Sequence, residues 1–413
     1  MRTRKNAKLF KVLLVVFFFF GFFMQYQHRA PKRDYSDFRM YYATGQRFLS
    51  GQEIYTFEGD ISYFKYTPFY AFLIAPLTLM SKRLAASVWF LLNVIFLLTL
   101  FYSLKELIVV DKHKFKSYSF LYTLTFIAMA RFLIGNFHQG QANIFMMTLF
   151  FVGLYYWMHK RETLASFFIA FSIMIKYMTI LFLPYLIIRK KFKLFWKIIM
   201  FVAVLYLLPI LAVGLERTAV LLYQQLNFVF KSSLDKYSIT CYPNQSLLAM
   251  LNRFLTRNDY YSVNIVDFSQ ISVFFIFFLF AFLLYFLTVI PLFKKKHKEF
   301  ERFYLMVDVA LISICISLFN PNAWRYFFIW LLPAYMLVVY YLKMVCFKDK
   351  FVFMLTLSSF ILISCLSEFF VGERVADVFE IYSSTTFGAL LLFFAILKIK
   401  FTKVPRHFLV DSG

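Results

Sequence analysis

Lys176 stands in the run Ala165 to Ile188, which is otherwise apolar or weakly polar. At bilayer depth an unpaired ammonium costs ~2.5–3.5 kcal/mol on insertion scales, so a membrane chain that keeps one generally uses it. The second informative charge is a carboxylate. Asp34-Tyr-Ser-Asp37-Phe-Arg-Met-Tyr41 follows the first apolar run, and Phe64-Lys65-Tyr66-Thr67-Pro68 comes soon after. A carboxylate just outside a membrane helix suits a general base that deprotonates a hydroxyl. Each feature also has a plain reading: Asp37 as a solvated loop acid, Lys176 as a lysine snorkelling to the interface.

Other polar stretches interrupt the apolar sequence. Gln139-Gly-Gln141-Ala-Asn143 could meet a substrate or simply start a helix, with Asn143 as its N-cap. Asn244-Gln245-Ser246 could equally begin a loop helix, and Asn320-Pro-Asn-Ala-Trp324-Arg325-Tyr326 precedes another apolar run. His138 reads as a loop histidine, and Asp308 as a buried acid paired with a nearby Arg or Lys. The four cysteines show no CxxC spacing, so neither a zinc site nor a disulfide framework is expected. There is no P-loop, no G-x-G-x-x-G and no H-E-x-x-H, which argues against a soluble nucleotide-sugar or ATP site. We expect no metal and no cofactor.

The elements that must position these residues are membrane helices. Of 413 residues, 62% are hydrophobic, only 16% are charged and 60 are Phe. Globular chains average roughly a quarter charged residues, so a soluble domain of this size is excluded. The apolar runs are continuous rather than alternating, which excludes a β-barrel. The net charge of +24 is not a nucleic-acid footprint. Its Lys and Arg lie in short clusters between apolar runs, as the positive-inside bias requires. No nucleic-acid partner is expected, only the lipid bilayer.

Placing the basic clusters in the cytoplasm gives one consistent threading. The N-terminal basic region and Phe-rich core resemble a signal peptide, but no small-residue cleavage site follows. We therefore expect Leu9–Met24 to be a retained first helix that opens onto a first outer loop, residues 25–83. Within it Pro68–Leu79 is only about half a span and reads as re-entrant or interfacial. Leu84–Leu104 returns inward, Tyr118–Ile134 runs out, Gly135–Asn143 turns, and Ile144–Met158 returns. Leu164–Ile188 starts and ends at basic clusters, so it should go in and back as two short helices with Lys176 at the outward tip.

Ile198–Val213 then leads to a long outer loop, residues 214–270. Ile271–Phe293, Phe303–Phe319, Tyr326–Leu342, Phe351–Val371 and Thr385–Ile399 complete the expected spans. The sum is an all-α polytopic membrane protein of about 10–12 transmembrane helices, with both termini cytoplasmic. The polar outer pieces gather on one face. A site of loops and broken helices belongs there, because irregular backbone at membrane depth survives only where protein or a cavity covers it.

Taken in order, D-x-x-x-Y, G-x-x-x-Y, F-x-Y-x-P-F, G-Q-x-N, I-K, N-Q-S and N-P-x-x-W resemble family 87 glycosyltransferases of the GT-C class. That family includes mycobacterial mannosyltransferases of phosphatidylinositol mannosides. The resemblance runs from about Asp34 to Leu342 and implies a single GT-C domain over residues 1–413. It implies an inner-membrane enzyme that moves a mannose-like monosaccharide from a polyprenyl-phosphate donor to a glycolipid or glycan acceptor, with inversion. Asp37 falls on the family's catalytic aspartate and Tyr41 is its D-x-x-x-Y partner; Asp34 is the competing acid. The substrate-binding candidates are Tyr41, Lys65, Tyr66, Gln141, Asn143, Lys176, Asn244, Gln245, Trp324, Arg325 and Tyr326.

The donor's phosphate leaves already charged, so it needs cations more than a proton. Lys176 is the first choice, with Lys65 and Arg325 as the other outer-face cations. Two departures from the family pattern stand out. Tyr326 occupies the position where family members often carry a histidine, and Tyr66-Thr67-Pro68 softens an F-x-Y-P-P motif. A transporter or flippase of lipid-linked saccharides is the alternative, although such proteins tend to repeat their broken helices in both halves.

Overall fold

The computed structural model describes residues 36–56, 64–110, 115, 117–233, 235–258, 263–290 and 301–402. The expected first helix Leu9–Met24 and the acid Asp34 lie outside the described residues.

The first described helix, α1 (Ser36–Leu49), is amphipathic. Its buried Phe38, Tyr41, Tyr42, Gly45 and Phe48 recur with helical spacing, forming one inward stripe. The stripe packs on α2 (Pro68–Ile74) and the 3-10 turn Ala75–Leu79 that continues it. Gly45 is required at that crossing, since a Cβ would sit 2.8 Å from Thr78 Cγ2 and 3.2 Å from Ala75 Cα. Thr67 caps α2 by accepting from the Tyr70 amide at 3.2 Å, and Pro68 occupies the first turn where no N–H is needed.

Next come α3 (Lys82–Ile108), α4 (Tyr118–Gln139) and α5 (Asn143–Met158). Then α6 (Glu162–Ile175) and α7 (Phe182–Ile188) form the expected interrupted pair. Lys176 between them is extended (φ −153°, ψ 123°), and Tyr177–Leu181 is a 3-10 turn. Pro184 has no N–H to bond back to residue 180, so a continuous helix would be weakened here. The broken end is not left orphaned: the Thr67 hydroxyl donates to the Met174 carbonyl.

After α8 (Phe192–Leu207) and the short α9 (Ile210–Val213), the expected outer loop proves largely helical. It contains α10 (Leu215–Ser233) and α11 (Leu247–Leu255). The α10 sequence mixes polar and apolar residues with helical spacing, burying Thr218, Leu221, Gln225 and Phe228 on one side. The rest of the chain is α12 (Gln270–Val289), α13 (Glu301–Phe319), a 3-10 segment Arg325–Leu331 running into α14 (Leu332–Met344), and α15 (Lys350–Phe360) with its π turn Ile361–Cys365. Short α16 (Glu368–Val371) and α17 (Glu373–Ile381) precede α18 (Ser384–Phe401).

This is an all-helical polytopic membrane protein. Among the described residues, seven helical stretches are long and apolar enough to cross a membrane. Asn143–Met158 and Lys350–Cys365 fall short of that length; at 1.5 Å per residue a 16-residue helix extends about 24 Å. The expected span Phe351–Val371 ends early because Ser367 and Gly372 start two short helices. In the two central stretches, Glu301–Phe319 and Arg325–Met344, 83% and 89% of the apolar window is buried. In Phe192–Val213 and Gln270–Val289 only 22% is buried, which assigns their exposed Phe, Leu and Ile to the lipid-facing rim.

A buried charge cluster ties the central helix to its neighbours. Asp308 of α13 pairs with Arg189 at 2.5 Å and with Lys400 at 3.0 Å, and accepts from Tyr185 at 3.2 Å. The expected structural partner of this acid is therefore two cations rather than one.

Candidate active site

Five separated stretches line one cavity of about 460 Å³. They are the start of α1, residues 65–66, the α4–α5 turn, the break at Lys176, and residues 322–327. Ser238 from the connection after α10 joins them.

The α4–α5 turn is tighter than the sequence suggests. Helix α4 runs on to Gln139, so the outer turn shrinks to Gly140–Ala142. Gly140 is left-handed (φ 65°) and closes α4, a conformation that disfavours residues with a Cβ. Its carbonyl accepts from Trp89 Nε1 at 2.8 Å, which fixes the turn against α3. Gln139 and Gln141 consequently both line the cavity.

Asp37 sits in the first turn of α1 and lines the cavity, half-buried. Burial pushes its carboxyl up from 3.8 to about 7, while the Lys176 ammonium and a hydrogen bond with Gln141 pull it down. A carboxylate tuned in this way is a stronger base than an exposed one, and is still substantially ionised near neutrality. Beside it, the Tyr41 and Tyr66 hydroxyls are 2.6 Å apart, and they reach Gln141 Oε1 at 3.3 and 3.4 Å. Tyr41 is fully buried and packs edge-on to Tyr66, Tyr70 and Trp89. Its role in the structure is to hold Tyr66 and Gln141, because Tyr41 is not part of the cavity wall.

Lys176 places its Nζ over the Tyr66 ring at 5.4 Å and over Phe327 at 5.0 Å. Such cation–π contacts hold an ammonium without neutralising it. Lys65 also lines the cavity, and its Nζ donates to the Ser232 carbonyl at 2.8 Å. Burial, reinforced by repulsion from Lys176, pushes the Lys65 ammonium down from 10.5 to about 8. The cavity thus combines one elevated carboxylate with two ammonium groups and the Arg39 guanidinium.

Other expected site residues lie behind the wall. Asn143 is the first residue of α5 rather than its cap; its Nδ2 donates to Asn136 Oδ1 at 3.0 Å. Asn136 in turn donates to the Tyr326 carbonyl at 2.7 Å. Asn244 is fully buried and donates to the Ser238 and Pro321 carbonyls at 2.7 and 2.6 Å. Gln245 donates to the Tyr242 and Glu380 carbonyls at 2.6 and 2.8 Å, and its amide bonds Ala323 O at 2.9 Å. Ser246 caps α11 through the Ala249 amide at 3.0 Å. These three residues lace the loops together.

The residues around Trp324 divide. Trp324 and Tyr326 line the cavity, whereas Arg325 between them points into an acid cluster. Its guanidinium meets Glu380 at 2.6 Å, Asp377 at 3.2 Å and Glu368 at 3.8 Å. Arg325 is therefore already compensated, unlike Lys176. Residues the sequence reading did not select also line the cavity: Ser36, Arg39, Met40, Gln139, Asn322 and Phe327. Gln139 belongs to the polar stretch that read as a possible substrate contact; the others carry no signal of their own. Among the described residues no group of three His, Cys, Asp or Glu side chains is placed to hold a metal ion.

Fold and site thus define an all-helical membrane bundle with a charged-residue-lined cavity at a helix break. The family model of glycosyltransferase family 87 matches residues 64–321, more than half of the chain. The chain belongs to that family and is a polytopic membrane glycosyltransferase. The match contains Lys65, Tyr66, Gln141 and Lys176, begins after Asp37 and ends before Trp324. Comparison with curated proteins gives no match, nor does comparison with solved structures.

Proposed function

We propose that this glycosyltransferase moves a mannose-like monosaccharide from a polyprenyl-phosphate carrier to a glycolipid or glycan acceptor, at the extracytoplasmic face of the inner membrane. The observation that carries this reading is the meeting of Asp37 with Lys176 and Lys65 in one cavity. Asp37 accepts the proton of the acceptor hydroxyl. The acceptor oxygen bonds to the anomeric carbon as the bond from that carbon to the phosphate oxygen breaks. The electron pair leaves on the phosphate, and a single displacement inverts the anomeric centre. Lys176 and Lys65 stabilise the charge that grows on the departing phosphate.

The roles divide accordingly. Tyr66, Gln141, Trp324 and Tyr326 contact the sugar or the phosphate, while Tyr41, Asn143, Asn244 and Gln245 hold those contacts in place. Tyr326 is a neutral hydrogen-bonding group where a histidine stands in many relatives, so positive charge at the phosphate falls to the cations of the cavity wall, Lys176, Lys65 and Arg39. Purified protein incubated with radiolabelled polyprenyl-phosphate sugars and a membrane lipid extract tests the proposal. Labelled product should form from a lipid-phosphate sugar and not from nucleotide sugars. Product from nucleotide sugars alone would overturn it.

A further inference from the structure

Glu380 belongs to no motif in the sequence and lies well beyond residues 64–321. It is nonetheless 1% exposed, on a short helix whose other face is open to solvent or lipid. A buried carboxylate is retained only where cations and hydrogen bonds compensate it. Glu380 has two such cations. One carboxylate oxygen takes the Arg131 guanidinium, and the other lies 2.6 Å from Arg325 Nε.

Those two arginines come from two packed segments that both reach the cavity wall. Arg131 lies on α4, about two turns before Gln139 and the Gln141 turn. Arg325 sits between Trp324 and Tyr326, both in the wall. The Glu380 backbone adds a third tie by accepting from Gln245 Nε2, whose own amide bonds Ala323 O. Arg131 also donates to the Ile363 carbonyl at 3.1 Å, anchoring α4 to the π turn after α15. No other described residue joins Arg131 to Arg325 through a single side chain.

We infer that Glu380 is a positioning residue for the transfer reaction: its carboxylate locks α4 to the Trp324–Tyr326 segment and so sets the geometry of the cavity. The inference rests on the function proposed above, but the lock itself does not. Without the negative charge, Arg131 loses its ion pair, Arg325 keeps only Asp377 and Glu368, and the tie of α4 to the Trp324–Tyr326 segment falls to the Asn136–Tyr326 bond. Misplacement of a reacting group by about 1 Å can cost roughly 100-fold in rate.

Two measurements separate the lock from the chemistry. Nitroxide labels at Gln139→Cys and Asn322→Cys, with Cys346→Ser and Cys365→Ser, report the distance across the cavity by electron paramagnetic resonance. Glu380→Gln should broaden or shift that distribution, and Glu380→Asp should restore much of it. Asp308→Asn, which disturbs the other buried cluster, should leave it unchanged. In transfer from polyprenyl-phosphate [14C]mannose, or whichever lipid-phosphate sugar is active, Glu380→Gln should lower kcat/KM roughly 10- to 100-fold.

The loss should nearly vanish in a Trp324→Ala, Tyr326→Ala background, because a residue acting through those side chains is non-additive with them. An unchanged distance distribution in folded Glu380→Gln overturns the inference, whatever the donor. So does an additive kinetic loss. If the distances respond and no lipid-phosphate sugar is transferred, the function is wrong and the lock stands.

Discussion

Lys176 and Asp37 line the same cavity, each within the electrostatic reach of the other. Among the described residues Lys176 forms no direct ion pair, and its ammonium rests on the faces of Tyr66 and Phe327. This separation leaves both charges available to a bound substrate. It also makes the basicity of Asp37 depend on the lysine.

The first prediction concerns that dependence. Burial raises Asp37 and Lys176 pulls it back to about 7. A general base must be deprotonated, so the acidic limb of kcat/KM should climb as pH rises through about 7. Lys176→Gln removes the downward pull, so the acidic limb should move to higher pH. The maximal rate should also fall by roughly 10²–10³, the size of losing one stabiliser of developing charge. A pH–rate profile of the variant with the limb unmoved would count against the coupling.

Lys65 should contribute to the alkaline limb. Its ammonium is pushed down to about 8, so above that pH it loses the charge assigned to phosphate binding. Wild-type activity should decline through about 8, giving a narrow bell. Lys65→Gln should raise KM for the donor and make that decline shallower, with Lys176 carrying what remains. An alkaline limb of unchanged steepness in Lys65→Gln would assign it to other groups.

Asp37 also links stability to pH, and the sign is fixed by the direction of its shift. Its folded value is raised above the unfolded 3.8, so its favourable contribution is present below 3.8 and lost as pH rises through about 7. Asp37→Asn should therefore raise the unfolding temperature at pH 8 relative to wild type, with little difference near pH 3. Equal unfolding temperatures at both pH values would contradict a dehydrated carboxyl.

The orientation is tested independently. In intact cells, a cysteine at Ser50 should react with a membrane-impermeant maleimide, and one at Lys295 should not. The reversed pattern would put the cavity on the cytoplasmic side.

Much of the fold was legible because membrane helices are encoded locally. Basic clusters at both ends of Leu164–Ile188 marked the break between α6 and α7, and the lone lysine in the apolar run marked its tip. Pro68–Leu79 was bounded correctly for a similar reason, with Thr67 and Pro68 opening it and too few residues to span. Helix α10 was missed because its amphipathic pattern is diluted by polar residues that read as loop, whereas α11 starts at the Asn244–Ser246 stretch that read as a possible helix start, with Ser246 as its cap. The site was less legible than the spans. Asn244 and Gln245 read as substrate contacts, yet their partners are carbonyls of Pro321, Tyr242 and Glu380, far away or featureless in sequence. Arg325 read as a free cation because the acids that compensate it lie more than forty residues downstream.

The most direct test of the account is sugar transfer by folded Asp37→Asn protein, assayed with the lipid-phosphate donor that the wild type accepts. The account predicts a fall of roughly 10²–10⁴ in kcat with donor binding retained. Transfer at the wild-type rate would contradict it.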